Sequence, residues 1–298
     1  MTVESLLHRA QEQRPLPHGG IILAATPLGN PLDASIRLLD ALASADIIAA
    51  EDTRRTRALA DALGVMITGT VVSNFDHNES DRAGHFVAEA QAGKRILVVT
   101  DAGMPAVSDP GFPLVVAARA AGVPVTCLPG PSAVPTALAL SGVGMGHFTF
   151  LGFAPRKDGA RREFFSNLLT ATTATCFFES PHRLQATLDI AVEILGARRP
   201  VAVARELTKR FEEVRSGSAA EVAEWAHAKE VKGEICVVIG AVDPEELGVD
   251  SADVVGEVEG LVAGGMRLKA AAGEIAKRHN LSKREVYEAV LHAREDSE

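Results

Sequence analysis

Short apolar runs alternate along this chain with longer stretches in which apolar residues recur every three or four positions. The runs Ile21–Thr26, Ile47–Ala50, Ile96–Thr100, Val125–Leu128, Phe148–Phe153, Thr175–Phe178, Val201–Ala204 and Ile235–Ile239 have strand length. Helical periodicity falls near Ala34–Ser44, Arg54–Leu63, Asp81–Ala92, Phe112–Ala121, Pro131–Leu140, Arg161–Leu169, Arg183–Leu195 and Ala219–His227. Such alternation predicts α/β layers on largely parallel strands. Val65–Ser73 and Glu212–Ser216 are candidate extra strands, the second a candidate antiparallel one.

Breaks in the pattern divide the chain. Three glycines in Ser141–His147 predict a hinge between two α/β domains, 19–141 and 147–241. The acidic stretch Asp243–Glu259 predicts a linker to a C-terminal helix-turn-helix-like module, 252–298. In that module Leu268, Ala271, Ala272 and Ile275 mark one apolar face, and Val286, Val290 and Ala293 another. Ser282 and Glu285 have the spacing of a capping box.

Composition narrows the class. With 298 residues and 47% apolar content, the chain can build a core without disulfides or metal. The N-terminal stretch lacks the pattern of a secretory signal, and no apolar run reaches membrane-spanning length, so a cytoplasmic protein is expected. Cys127, Cys176 and Cys236 lie far apart in apolar runs, as buried reduced thiols do. The net charge of −9 argues against nucleic acid until its distribution is considered. Seven acidic residues and no basic one fill Asp243–Glu259, whereas Arg267, Lys269, Lys277, Arg278, Lys283 and Arg284 face only Glu274. An acidic chain can therefore carry a local basic surface.

Four apolar strands run into polar clusters, "EDTRR", "DAGMPAVSDPG", "ESPHR" and "RELTKR". In open α/β sheets ligands bind beyond the C-terminal strand ends. No phosphate-cradling G-x-x-x-x-G-K-[ST] occurs, "GVGMG" stands in the wrong order for a strand-to-helix glycine loop, and His77, His147 and His182 lie outside any metal-ligand spacing. A ligand with a cationic centre, hydroxyls and an adenine, but no phosphate, would suit such strand ends. S-adenosylmethionine fits that description, although periodicity does not select it.

The motifs "ATPLGNPLDAS", "AAEDTRRT", "TDAGMPAVSDPG", "PGPSA", "LGFAPRK", "FFESPHRL", "ARELTK" and "KGEICVVIG" occur in this order between Gly19 and Gly240. Together they resemble the tetrapyrrole methylase superfamily, and more closely its ribosomal branch of 16S rRNA (cytidine-2′-O)-methyltransferases. The resemblance implies two α/β domains of class III methyltransferase type with S-adenosylmethionine in the cleft between them. It further implies a homodimer whose substrate is a decoding-region cytidine of 16S rRNA in the small ribosomal subunit, with no metal and no membrane. Carried onto the matched motifs, cofactor contacts are expected at Leu28, Asp101, Gly103, Met104, Val107, Ser132, Ala133, Glu179, Ser180, Leu207, Glu234 and Ile235. Deprotonation of a ribose hydroxyl, or stabilisation of its alkoxide, makes Glu51, Asp52, Arg54, Arg205, Glu206 and Lys209 the catalytic candidates. Two other readings compete: a precorrin or diphthine-type methyltransferase on the same fold, and a non-catalytic DNA-binding regulator using the C-terminal helices.

Overall fold

The structure is a computed structural model that describes residues 5, 9, 11–12, 15–74, 79–144, 146–242, 254–279 and 281–295. His77 and the acidic stretch as far as Asp253 lie outside the described residues. By its contacts the chain divides into two compact units: residues 1–140 with 204–214 and 232–236, and residues 141–203 with 215–231 and 237–298.

The first unit is built on β1 (Gly20–Ala24), β2 (Ile47–Ala50), β3 (Thr70–Ser73), β4 (Arg95–Val99) and β5 (Val125–Leu128), in the order β3-β2-β4-β1-β5. All four pairings are parallel. Because side chains alternate across a strand, each strand feeds two cores. Ile22, Ala24, Ile48, Ala50, Leu97 and Val99 pack on one face against Leu38, Ala41 and Leu42 of α1 (Ile36–Ser44). Ile21, Ala49, Ile96 and Val98 pack on the other against Phe86 of α3 (Glu79–Gln91) and Leu114 of α4 (Phe112–Ala120). Full burial of Leu38 and Leu42 contributes about 1.5–3 kcal/mol each. Ser35 caps α1 by accepting from the Leu38 N–H at 3.1 Å, an interaction worth about 1 kcal/mol.

This arrangement has a functional consequence. β1 and β4 are neighbours, yet the helix after β1 covers one face and the helix after β4 covers the other. Their loops diverge, the topological switch at which open α/β sheets bind ligands. Helix α2 (Thr53–Ala62) begins at the adjacent strand end, after β2, and α5 (Ala133–Ser141) follows β5.

The second sheet has the order β6-β7-β10-β8-β9, with β6 (Phe148–Phe153) at one edge, then β7 (Ala174–Glu179), β10 (Ile235–Ile239), β8 (Pro200–Arg205) and β9 (Glu213–Ser218). Helices α6 (Asp158–Ser166), α7 (Leu184–Leu195) and α8 (Ala219–Ala228) accompany it. The buried Arg199 guanidinium donates to the carbonyls of Leu168 and Gly240 at 2.7 and 2.9 Å, tying the β8 entry to its surroundings. Both candidate extra strands are present as β3 and β9. Gly142, Gly144 and Gly146 all have positive φ, so the glycine-rich stretch is a loop that other residues would strain.

The C-terminal segment is helical but differs from the expected two-helix unit. The end of the acidic stretch is folded as α9 (Val255–Ala263), followed by α10 (Leu268–His279) and α11 (Lys283–Glu295). Val254 and Val258 share one core with Ala271, Ala272, Ile275, Val286 and Val290. Acidity masked this helix, because Glu257 and Glu259 face basic partners on α10 and α11 while the valines face inward. The Glu285 N–H donates to Ser282 Oγ at 3.4 Å, one half of the anticipated capping box. No helix among the described residues is long and apolar enough to cross a membrane.

Candidate functional site

The site residues of the first unit gather in three linked clusters, two at the C-terminal ends of the first sheet's strands and one in the loop after β8. In the first, β2 ends at Glu51 and Asp52, and β4 ends beside them at Asp101. The Asp101 N–H donates to Glu51 Oε2 at 3.0 Å, and the Asp52 N–H donates to Asp101 Oδ1 at 3.1 Å. Arg55 holds the other oxygen of Asp101 at 3.0 Å. Asp52 caps α2 through the Arg54 N–H at 2.8 Å, and its carboxylate is chelated by the Arg54 guanidinium at 2.8 and 3.2 Å. The Arg54 side chain thereby holds the Asp52 carboxyl well below the usual carboxylate range and raises its own guanidinium.

The second cluster joins the loops at the topological switch. Thr26 and Gly103 form an isolated antiparallel bridge, and Thr26 Oγ1 donates to the Thr100 carbonyl at 3.1 Å. Gly103 has φ +87°, and a Cβ there would lie 3.4 Å from Leu28. Ala106 and Ser108 also have positive φ, at 65° and 61°, so the loop from Asp101 to Gly111 is held in costly backbone states. Its end is pinned by the Gly111 N–H, which donates to Glu79 Oε2 at 2.6 Å. On the other side, the Ala25 N–H donates to the Leu128 carbonyl at 3.1 Å, and Gly130 brings its turn against Ala25. Ser132 follows as the acceptor of the first α5 hydrogen bond, from the Thr136 N–H at 3.2 Å.

The third cluster is the loop after β8. Lys209 Nζ donates to Glu206 Oε1 at 2.9 Å and Glu234 Oε2 at 3.0 Å. Glu206 also accepts the Glu234 N–H at 3.1 Å. Burial alone would raise the Glu206 carboxyl, but Lys209 and the Glu234 N–H outweigh it and bring it down. Burial likewise opposes the Lys209 ammonium, but its two carboxylates outweigh that and raise it. Two glycines make room: a Cβ on Gly233 would lie 2.3 Å from the Glu206 carboxyl, and one on Gly29 would lie 2.1 Å from Lys209 Cγ. The Asn30 N–H donates to Thr208 Oγ1 at 3.1 Å, so the loops after β1 and β8 are fastened together. Leu28 and Leu207 are both buried, and Glu206 and Thr208 have positive φ.

Other candidates are engaged differently. Arg205 donates to the Phe211 and Lys232 carbonyls at 2.9 and 3.1 Å and braces its own loop. Glu179, in the second unit, has a fully buried carboxylate that pairs with Arg183 at 2.5 Å and accepts from the Ser180 N–H and the Thr187 hydroxyl at 2.6 Å. Met104 lies in the Asp101–Gly111 loop, Val107 is half-exposed there, Ala133 starts α5, and Ile235 is buried at the start of β10.

Several contributors escaped the sequence reading. Arg55 was overshadowed by its neighbour Arg54, although it is Arg55 that holds Asp101. Gly29, Thr208 and Gly233 act through close approach, for which a lone glycine or threonine gives little signal. Thr100 Oγ1 and both side-chain amide atoms of Asn74 are buried without a hydrogen-bond partner among the described residues. These strand ends thus hold buried polar atoms without a partner among the described residues.

Comparison with known proteins agrees with this architecture. The family model described as Tetrapyrrole (Corrin/Porphyrin) Methylases matches residues 20–223. A protein of Mycobacterium tuberculosis (strain ATCC 25618 / H37Rv) named ribosomal RNA small subunit methyltransferase I is 50% identical over 94% of this chain and 97% of its own. One of the same name from Bacillus subtilis (strain 168) is 39% identical over 91% and 94%. Among solved structures, the methyltransferase CobJ superposes with TM-score 0.57 at 22% identity, covering 75% of this chain and 95% of its own. Uroporphyrin-III C-methyl transferase from Thermus thermophilus, solved with S-adenyl homocysteine, superposes with TM-score 0.52 at 16% identity, covering 74% and 97%. The chain therefore belongs to the tetrapyrrole (corrin/porphyrin) methylase family, in the group of the ribosomal RNA small subunit methyltransferase I proteins.

Proposed function

We propose that this chain transfers a methyl group from S-adenosylmethionine to 16S ribosomal RNA of the small subunit, at the ribose 2′-hydroxyl of a decoding-region cytidine. The observation that carries the reading is the extent of the likeness. Relatives named for small-subunit ribosomal RNA match over more than 90% of the chain, a span that cannot omit all of α9–α11. The general family model stops at residue 223, before those helices, which disfavours a precorrin or diphthine-type substrate.

The strand ends of the first unit suit such a methyl donor. No lysine or arginine lies between Thr100 and Gly111, Gly103 offers bare backbone beside Leu28, and Thr100 and Asn74 keep buried polar atoms without a partner among the described residues. Leu28, Asp101, Gly103, Met104, Val107, Ser132 and Ala133 would hold the donor, with Leu207, Glu234 and Ile235 beside the third cluster. In the second unit the Glu179 carboxylate is taken up within its own turn, which leaves its side chain no part in holding a donor. When bound, S-adenosylmethionine supplies a methyl group on a positively charged sulfur.

The chain's own residues then have distinct tasks. Asp52 is held well below the ordinary carboxylate range and Glu206 is lowered from its ordinary value by Lys209 and the Glu234 N–H, so both would act as fixed anions. Lys209 stays protonated and would stabilise negative charge growing on the ribose oxygen. Arg54, exposed apart from its bond to Asp52, would engage RNA phosphate. Orientation of the attacking oxygen supplies most of the acceleration. A homodimer is part of the proposal, supported by Phe148, Leu151 and Phe153, which are exposed apolar residues on the edge strand β6.

The test is methyl transfer to small subunits that lack the modification, followed by mass-spectrometric mapping of ribose-methylated cytidine. Methylation of a precorrin with none on the subunit, or methylation of a base instead of a ribose, overturns the reading. Sedimentation at working concentration tests the dimer.

A further inference from the structure

The C-terminal helices sort their basic residues into two sets. Arg278 pairs with Glu257 at 3.3 Å and Glu274 at 3.6 Å. Arg294 pairs with Glu259 at 2.6 Å, and Arg284 with Glu288 at 2.8 Å. These arginines hold α9, α10 and α11 together or are neutralised on their own helix. Lys269, Lys277 and Lys283 are exposed and have no carboxylate within ion-pair distance among the described residues.

The unpaired lysines also converge. Lys269, Gly273 and Lys277 are spaced i, i+4, i+8 and so share one face of α10, along about 12 Å of its length. Lys283 at the start of α11 reaches across that face, and a Cβ on Gly273 would lie 3.1 Å from its Cε and Nζ. Glycine inside a helix is unfavourable relative to alanine. Here it leaves room for the end of Lys283, which lies against it beside the other two lysines.

We propose that Lys269, Lys277 and Lys283, set around Gly273, form a ridge that docks on the phosphodiester backbone of small-subunit RNA. The inference rests on the function proposed above and adds to it the surface and the groups that make the contact. The occupant follows from charge. Three ammonium groups in a row, on a chain of net charge −9, match a linear polyanion whose counterions are released on binding. The carboxylates of α9 leave this row alone and neutralise the arginines around it.

The experiment measures binding of the full chain to small ribosomal subunits across a salt series, with methyl transfer and S-adenosylmethionine affinity recorded in parallel. Substituting all three lysines by glutamine should lower the slope of log K against log salt by about 2–3 and leave donor affinity unchanged. The double variant Arg278→Gln/Arg284→Gln should keep the wild-type slope. Gly273→Ala favours the helix and moves the end of Lys283 by only a few tenths of an ångström, so it should keep the wild-type slope without loss of folding. A triple-lysine variant that binds like the wild type overturns the ridge, and so does an arginine double variant that loses as much as the lysine triple. Wild-type chain that binds with this salt dependence but transfers no methyl group overturns the functional reading and leaves the ridge standing.

Discussion

Thr26 and Gly103 exchange two backbone hydrogen bonds, of 2.9 and 3.0 Å, across the point where the loops after β1 and β4 part. The bridge holds Leu28 against a glycine whose φ of +87° other residues adopt at a cost. Gly103→Ala should therefore destabilise the fold by about 1–2 kcal/mol. Donor affinity should fall further than stability does, since the loop's backbone is the proposed binding surface. Calorimetry alongside thermal melting checks this, and equal losses in both would remove the loop from the binding surface.

Gly29→Ala addresses the third cluster. Its Cβ would meet Lys209 Cγ at 2.1 Å and the Leu207 carbonyl at 3.2 Å. Forced repacking of this kind costs about 1–3 kcal/mol. Methyl transfer should drop at least as far as stability predicts, because displacement of Lys209 breaks both of its carboxylate contacts. Turnover and melting of the purified variant report the two effects separately.

Asp101 and Arg54 should separate binding from turnover. Asp101 links β4, β2 and Arg55, so Asp101→Ala should weaken donor binding. Among the described residues Arg54 pairs with Asp52 and is otherwise exposed, so Arg54→Ala should leave donor affinity intact and reduce turnover on the subunit. Titration of both variants with donor, followed by single-turnover assays, distinguishes these outcomes. Equal loss of donor binding in both would contradict the division.

The Lys209 cluster sets a pH window. Glu206 is lowered in the folded state, so its contribution is present above the ordinary glutamate value of about 4.3 and is lost as pH falls through its lower folded value. Lys209 is raised, so its contribution is present below the ordinary lysine value of about 10.4 and is lost as pH rises through its higher folded value. The stability difference between wild type and Lys209→Met should accordingly be flat from about pH 5 to pH 10 and shrink on either side. Denaturant melts across that range provide the measurement.

Glu179→Gln tests a structural assignment. Removing the charge strands Arg183 beside a buried amide, and losing one partner of a buried pair costs about 3–5 kcal/mol. Arg183 keeps some solvent contact, so the lower end is expected. Urea denaturation measures it, and donor affinity of the surviving folded fraction should be near wild type.

Most strands of both sheets were legible in the sequence because they are short, nearly unbroken apolar runs, and the central ones, such as β2, β4 and β10, are buried. β3 and β9 were weaker because they lie at sheet edges and carry mixed residues such as Thr70, Ser73, Glu213 and Ser218. Helix α9 was lost to its acidity, since counting charge along a segment does not reveal that Glu257 and Glu259 have partners more than twenty residues away. In the candidate site, Asp101, Glu206 and Lys209 announced themselves as polar residues after strands. Arg55, Gly29 and Gly233 did not, because their parts depend on which neighbour comes close in space.

The fastening of Asn30 to Thr208 joins residues 178 positions apart. At a synthesis rate of about 5–20 residues per second, the partner emerges roughly 10–35 seconds after the first loop. The first sheet is complete in sequence by Leu128 and can begin to fold during that interval, but the turn around Gly29 then lacks the lysine that packs on it. A chain halted before Glu234 lacks part of the ion cluster however well its N-terminal strands have paired. Assembly of the Lys209 ion cluster is thereby coupled to translation through Glu234, and chains terminated before it are left without the cluster.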